Sequence, residues 1–287
     1  MIAGKDELIR YWSAIYKLAA PYLARRPLKW AWRGANGKPA FHHGDPPVLP
    51  SAVHLISWTR VNSTRVMRPW VDSLDGVHGL VNIGALELHE FGCGVGDLNH
   101  PDRLAFNLKA GDGFAWDRTL ESALKLEHLL RRHALRSEPR VSGTGELHVI
   151  VPLEGQAWTW DRAKSFVSAI GQQLVDSDPV QHTTNSKEDR RGRLLIDCLR
   201  SYYGQTLIAA YSPALPSNIR EMRSSLPVVC PVTWEQVERG ISPTPHTVES
   251  MILEAQSAVS RPGDRSKRAA PRRPGAARPS RRKSRAN

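Results

Sequence analysis

The chain has 287 residues, is 40% hydrophobic and carries a formal net charge of +12. That is enough apolar material for one large domain or two small ones with a proper core, and no apolar run approaches the ~20 residues that span a bilayer. Cys93, Cys198 and Cys230 are too widely spaced for a disulfide framework or a zinc site. The N-terminus turns charged at once and lacks a signal-peptide core, so a reducing, nucleoid-accessible cytoplasm is expected.

The charge is uneven. Residues 261–287 hold eleven Lys/Arg against one acid, whereas the remaining 260 residues hold 29 basic and 27 acidic side chains. Built of Arg, Pro, Ala and Ser, that tail has no means of forming a core and is expected to be disordered. Its Arg272-Arg273 and Arg281-Arg282-Lys283 runs suit salt-sensitive, sequence-independent contact with phosphates, a solvated end with no dedicated role being the plainer alternative. A nucleic-acid cleft in the body must therefore come from local clustering of charge.

In chain order, Leu8, Trp12, Ile15, Tyr16 and Ala19 recur at three- and four-residue steps, predicting an amphipathic helix from Lys5 to Leu23. Residues 33–50, rich in Gly, Pro and His, read as a loop. His42 and His43 are expected to be exposed there, with a phosphate or metal contact as the sharper alternative. Asn82 to His89 reads as a strand-like core segment in which Glu87 and His89 are structural.

Pro101 to Gly111 predicts a short strand running into a glycine turn. Leu104, Phe106 and Leu108 take one face, and Ala105, Asn107 and Lys109 the other. A helix follows from Trp116 to Leu135, with Arg131, Arg132 and His133 suited to its C-terminal end. Next comes a glycine loop feeding a buried strand, Val141 to Pro152. Thr159 caps a further helix whose buried stripe is Ala163, Phe166, Val167, Ile170 and Leu174. A polar loop, 176–191, leads to a strand in which Arg193, Leu195 and Asp197 share a face. Gly204 to Ser212 reads as one more strand.

Three of these segments, Pro101–Gly111, Val141–Pro152 and Gly192–Leu199, together resemble the three active-site motifs of the primase-polymerase superfamily. The nearest likeness is to the polymerase domain of bacterial end-joining DNA ligase D. Supporting stretches are Gly84-Ala-Leu-Glu-Leu-His89, the opening helix and arm at 6–28, Gly204–Ser212, and 227–237 ending in Thr-Trp-Glu-Gln-Val. The resemblance implies an α+β, primase-polymerase-like sheet-and-helix domain over residues 1–250. It also implies DNA ends and a nucleoside triphosphate as ligands, with the end-binding Ku protein and a separate ligase as partners.

The family's chemistry uses two divalent metals, Mg²⁺ or Mn²⁺, held by hard carboxylate oxygens. By resemblance those carboxylates are two aspartates in the first motif and one in the third. Here the first-motif positions hold Asn107 and Lys109, and only Asp197 remains. Two unit charges 4 Å apart interact by about 4 kcal/mol at an effective dielectric near 20, so a dication beside Lys109 would feel about twice that as repulsion. Lys109 then has two readings: an ammonium seated where a metal would sit, paired with Asp197, or a side chain reaching solvent.

In the second motif Ser142, Gly143 and His148 match residues that bind the triphosphate in the family, and the resemblance adds His89 to that set. The family's lysine, however, is Gly145, and Glu146 adds a negative charge. The expected function is a stand-alone relative of the end-joining polymerase domain that binds DNA ends or nucleotides with lost or much reduced nucleotidyl transfer. The alternative is an active nucleotidyltransferase whose metal site is rebuilt from Asp197, Asp112 or His89.

Overall fold

The computed structural model describes residues 4–34, 39–41, 48–153, 157–185, 190–216 and 225–259. His42, His43 and the basic tail lie outside the described residues. Two sheets form the frame. The first has the order β11–β5–β1–β2, built from β1 (Leu28–Arg33), β2 (Pro39–Phe41), β5 (Glu87–Phe91) and β11 (Thr206–Ile208). The second has the order β12–β7–β8–β6–β10–β9, from β6 (Arg103–Ala110), β7 (Glu138–Val141), β8 (Glu146–Pro152), β9 (His182–Thr183), β10 (Leu194–Asp197) and β12 (Cys230–Pro231). A separate antiparallel hairpin pairs β3 (His54–Thr59) with β4 (Arg65–Trp70).

Each sheet has its own helical cover. The first core joins α1 (Lys5–Leu23), α2 (Leu74–Asn82) and α6 (Val248–Val259) to Leu28, Trp30 and Leu88 of the sheet. The second sets α3 (Trp116–Arg132) and α4 (Trp160–Ser177) on Leu104, Phe106, Leu108, Leu147, Val149 and Ile196, with Val237 of α5 (Trp234–Glu238) at its margin. Helix periodicity and strand alternation thus bury one stripe of each element, as the apolar spacing requires. Helix α1 and the Thr159 cap lie where the sequence predicts them, the Thr159 hydroxyl accepting from the Arg162 amide at 3.2 Å. All three cysteines are buried and free. Among the described residues no helix is long and apolar enough to cross a membrane.

Four local expectations need correction. Helix α3 stops at Arg132 rather than Leu135, because Ala134 adopts φ 57° and ends the helical hydrogen bonding. The 33–50 segment is not all loop, since Pro39–Phe41 pairs with β1. The strand expected over 204–212 is only Thr206–Ile208, and Tyr211 at φ 64° turns the chain away. Finally, α6 runs past residue 250 and packs on α1, where the Tyr11 hydroxyl lies 3.8 Å from the Met251 sulfur.

The two sheets are tied together by charge. Glu90 of β5, fully buried, meets Arg103 Nη1 of β6 at 2.6 Å, Arg140 Nη1 of β7 at 2.9 Å and Arg26 Nε at 3.7 Å. Burial alone would raise its pKa, but the three guanidiniums outweigh that and hold it below the usual carboxylate range.

Candidate functional site

The free faces of the two sheets meet in a cavity of about 320 Å³. Strand β6 is its floor. Alternation puts Leu104, Phe106 and Leu108 in the core and leaves Asn107 and Lys109 on the cleft side. Register then fixes their neighbours. Asn107 lies opposite His148 on β8 and Asp197 on β10; Lys109 lies opposite Glu146 on β8 and Leu195 on β10. From the first sheet, Glu87 and His89 line the same cavity and are hydrogen-bonded to each other, with Phe41 edge-on to His89 at 4.9 Å. Glu87 also accepts from the Leu215 amide at 2.6 Å.

The first-motif positions are internally neutralised. Lys109 Nζ sits 2.9 Å from Glu146 Oε1, and Asn107 Nδ2 donates to Glu146 Oε2 at 2.7 Å. His148 Nε2 is 3.9 Å from the same carboxylate, an ionic-range contact too long for a hydrogen bond. Burial would raise the Glu146 pKa; the Lys109 charge and the Asn107 amide oppose it and keep the group below the usual carboxylate range. Burial dominates at His148 and lowers its pKa, favouring the neutral ring.

One expectation for this site is therefore revised. Lys109 neither pairs with Asp197 nor reaches into solvent, because β8 places an acid directly across from it while β10 offers Leu195. The negative charge that Glu146 adds is taken up as the acceptor for Lys109 and Asn107.

Asp197 is committed elsewhere. It is buried, accepts from the Leu199 amide at 3.0 Å and meets Arg200 Nε at 3.0 Å. Arg200 in turn lines the cavity and donates to the Thr206 carbonyl at 3.1 Å. Sequence reading passed over Arg200 and Phe41. The available signal for Arg200 was its place three residues after Asp197, which the short 3₁₀ turn at Leu199–Ser201 brings back onto the carboxylate.

Ser142 and Gly143 have turn-building work. Ser142 is fully buried and its Oγ accepts from the Thr144 and Glu146 amides at 3.2 and 3.0 Å. Gly143 sits at φ 77°, where a Cβ would come within 2.5 Å of Pro227 Cβ. Of the predicted nucleotide contacts, His89 and His148 reach the cavity, whereas Ser142 and Gly143 do not line it. Asp112 is exposed in the turn beyond β6 and also lies off the cavity lining.

The residues present do not fit a two-metal site. Of the three positions where the resemblance expects carboxylates, Asn107 is an amide, Lys109 an ion-paired ammonium, and the Asp197 carboxylate is clamped by the Arg200 guanidinium. Among the described residues no three His, Cys, Asp or Glu side chains converge to hold a metal. What the cleft does offer is hydrogen bonding. The buried Asn107 Oδ1 and both His148 ring nitrogens have no hydrogen-bond partner among the described residues.

The sequence model of the family described as LigD, primase-polymerase domain, matches residues 4–261. The chain belongs to the LigD primase-polymerase domain family. Relatives include the multifunctional non-homologous end joining protein LigD of Pseudomonas aeruginosa, 31% identical over 169 residues, or 58% of this chain and 19% of that protein. The LigD of Mycolicibacterium smegmatis is 26% identical over 238 residues, or 81% of this chain and 30% of that protein. This LigD-type chain thus spans less than a third of the length of either relative. The fold is similar to the polymerase domain from Mycobacterium tuberculosis ligase D in complex with DNA, with a TM-score of 0.74, 22% identity, and coverage of 92% of this chain and 91% of that one.

Proposed function

We propose that this LigD-type domain binds DNA ends and nucleotides in double-strand break end joining, with nucleotidyl transfer lost or much reduced. One observation carries the reading: the Lys109–Glu146 ion pair stands where the family resemblance puts a metal-binding aspartate. A metal there would have to displace an ammonium held 2.9 Å from its counter-ion, while the neighbouring Asp197 carboxylate is engaged by Arg200. The change at position 109 is matched by a change directly across the ladder, since the resemblance gives glycine where Glu146 stands. Paired changes of opposite charge argue for a reshaped binding cleft over unrepaired loss.

Binding survives this reshaping on physical grounds. Orphaned buried polar atoms at the cleft floor are where a bound molecule completes the hydrogen bonding. Asn107 Oδ1 accepts, and the neutral His148 ring both accepts and donates, a combination suited to the polar edges of a nucleotide. Arg272, Arg273, Arg281, Arg282 and Lys283 add salt-sensitive attraction to phosphates. The fold match to a polymerase domain in complex with DNA supports the same class of ligand. Ku and a separate ligase follow as partners from the family alone.

The test is primer extension on a gapped, 5′-phosphorylated duplex with Mg²⁺ and then Mn²⁺. Wild type, Asp197→Ala, and the triple reversion Asn107→Asp/Lys109→Asp/Glu146→Gly are compared. No extension by wild type, with activity and Mn²⁺ binding restored in the triple variant, is the expected result. Wild-type extension that vanishes in Asp197→Ala overturns the reading in favour of an active transferase.

A further inference from the structure

The charges around the cleft are already matched. Its described lining includes two cations, Lys109 and Arg200, and two carboxylates, Glu87 and Glu146. Lys109 is held by Glu146 at 2.9 Å and Arg200 by Asp197 at 3.0 Å. Glu87 is hydrogen-bonded to His89 and accepts from the Leu215 amide. A triphosphate brings several negative charges into this space. It would meet a carboxylate beside each cation, with no metal site to offset its own charge.

What the floor lacks is hydrogen-bond partners. Asn107 is 2% exposed and His148 is fully buried, and the two lie directly opposite each other on β6 and β8. Cross-strand neighbours share one face of a sheet, here the face that lines the cavity. Asn107 Nδ2 donates to Glu146 Oε2, which leaves Oδ1 without a partner, and neither ring nitrogen of His148 has one among the described residues. Burial favours the neutral His148 ring, so one of its nitrogens donates and the other accepts. An acceptor and a donor buried side by side are costly until a ligand completes them. Phe41, Leu207 and Ile208 add apolar surface from the first sheet.

The ligand that answers this arrangement is flat and uncharged, with a donor next to an acceptor along one edge. Every nucleobase has such an edge, an N–H beside a ring nitrogen or a carbonyl. The cavity of about 320 Å³ is at the small end of ligand pockets, which run from about 300 to 1,000 Å³.

We propose that the Asn107–His148 floor binds the polar edge of one unpaired nucleobase without metal, in preference to the phosphates of a nucleotide. The inference rests on the DNA-end and nucleotide-binding reading above and names the part of the nucleotide that the cleft recognises.

The test is isothermal titration calorimetry of the full chain with deoxyadenosine and with dATP, each in EDTA and in Mn²⁺, at low and high salt. Deoxyadenosine is expected to bind in EDTA with no salt dependence, because an uncharged ligand gives the basic tail nothing to hold. dATP should bind no tighter, with or without Mn²⁺. Asn107→Leu should weaken deoxyadenosine binding about tenfold. Glu146→Gln leaves the Lys109 ammonium without its counter-ion and should shift the affinity ratio about tenfold toward dATP, whereas a merely structural role would weaken both ligands alike. Thermal midpoints verify folding, and where Asn107→Leu does not fold the Glu146→Gln ratio decides.

Competition by a short single strand ending in deoxyadenosine, beside the same strand ending in an abasic sugar, separates the two sources of the base. Stronger competition by the intact strand supports a strand end. Equal competition by both strands, with deoxyadenosine bound, supports a free nucleoside. Binding of dATP that exceeds that of deoxyadenosine about tenfold or requires Mn²⁺ overturns the proposal and leaves nucleotide binding intact. Deoxyadenosine binding unmoved by either variant, or binding of the strands alone with no effect of the terminal base, overturns the site and leaves DNA binding intact. Failure of deoxyadenosine, dATP and both strands to bind overturns the parent reading as well.

Discussion

Lys109 and Glu146 face each other across the β6–β8 ladder with 2.9 Å between Nζ and Oε1, and both side chains are largely withdrawn from solvent. A cross-strand pair of opposite charge satisfies both residues at once, whereas either alone would be a poorly hydrated charge at a cleft floor.

Breaking the pair from one side should therefore cost more than removing it. Lys109→Met and Glu146→Gln are each expected to destabilise by about 1–3 kcal/mol, reflecting a hydrogen-bonded charge left without its partner. The double variant should lose less than the sum. Urea unfolding of the four proteins supplies the cycle, and strict additivity would mean that the two groups do not interact.

Acid should unfold the domain in two stages. His148 is lowered below its ordinary pKa, so the unfolded chain takes up a proton first and stability falls as pH drops through about 6.5. Glu146 is depressed from 4.5 to about 2, so its contribution is complete above the unfolded value and is lost as pH falls from about 5 toward 2. Glu146→Gln should flatten the lower stage. Unfolding free energies measured between pH 7 and pH 3 check this, and an unchanged lower stage in the variant refutes it.

Glu90→Gln is expected to be the costliest polar substitution described here. The amide leaves Arg103 and Arg140 facing each other in the interior without a counter-charge, at about 3–5 kcal/mol. Because Glu90 joins β5 to β6 and β7, loss of stability should come with loosened packing between the sheets. Chemical denaturation and amide exchange on β5 provide the readout.

Gly143→Ala should destabilise by about 1–3 kcal/mol, combining left-handed backbone strain with a clash. The added Cβ would lie 2.5 Å from Pro227 Cβ. Gly145→Ala has the same backbone strain at φ 83° but nothing within 4 Å, so it should cost less. Comparing the two midpoints separates strain from clash.

Much of this molecule is determined by the sequence alone. Period-3.6 spacing places α1 and α4, and period-2 alternation puts Asn107 and Lys109 on the open face of β6, because side-chain direction along a helix or strand is a local property. The motif order carries the family and the mixed helix-and-sheet fold. Partners across strands are another matter. That Lys109 meets Glu146 rather than Asp197 depends on the register of three strands drawn from residues 103–197, which no local pattern encodes. The same holds for Arg200 turning back onto Asp197. Local sequence decides which way a side chain points, and only the packed sheets decide what it meets there.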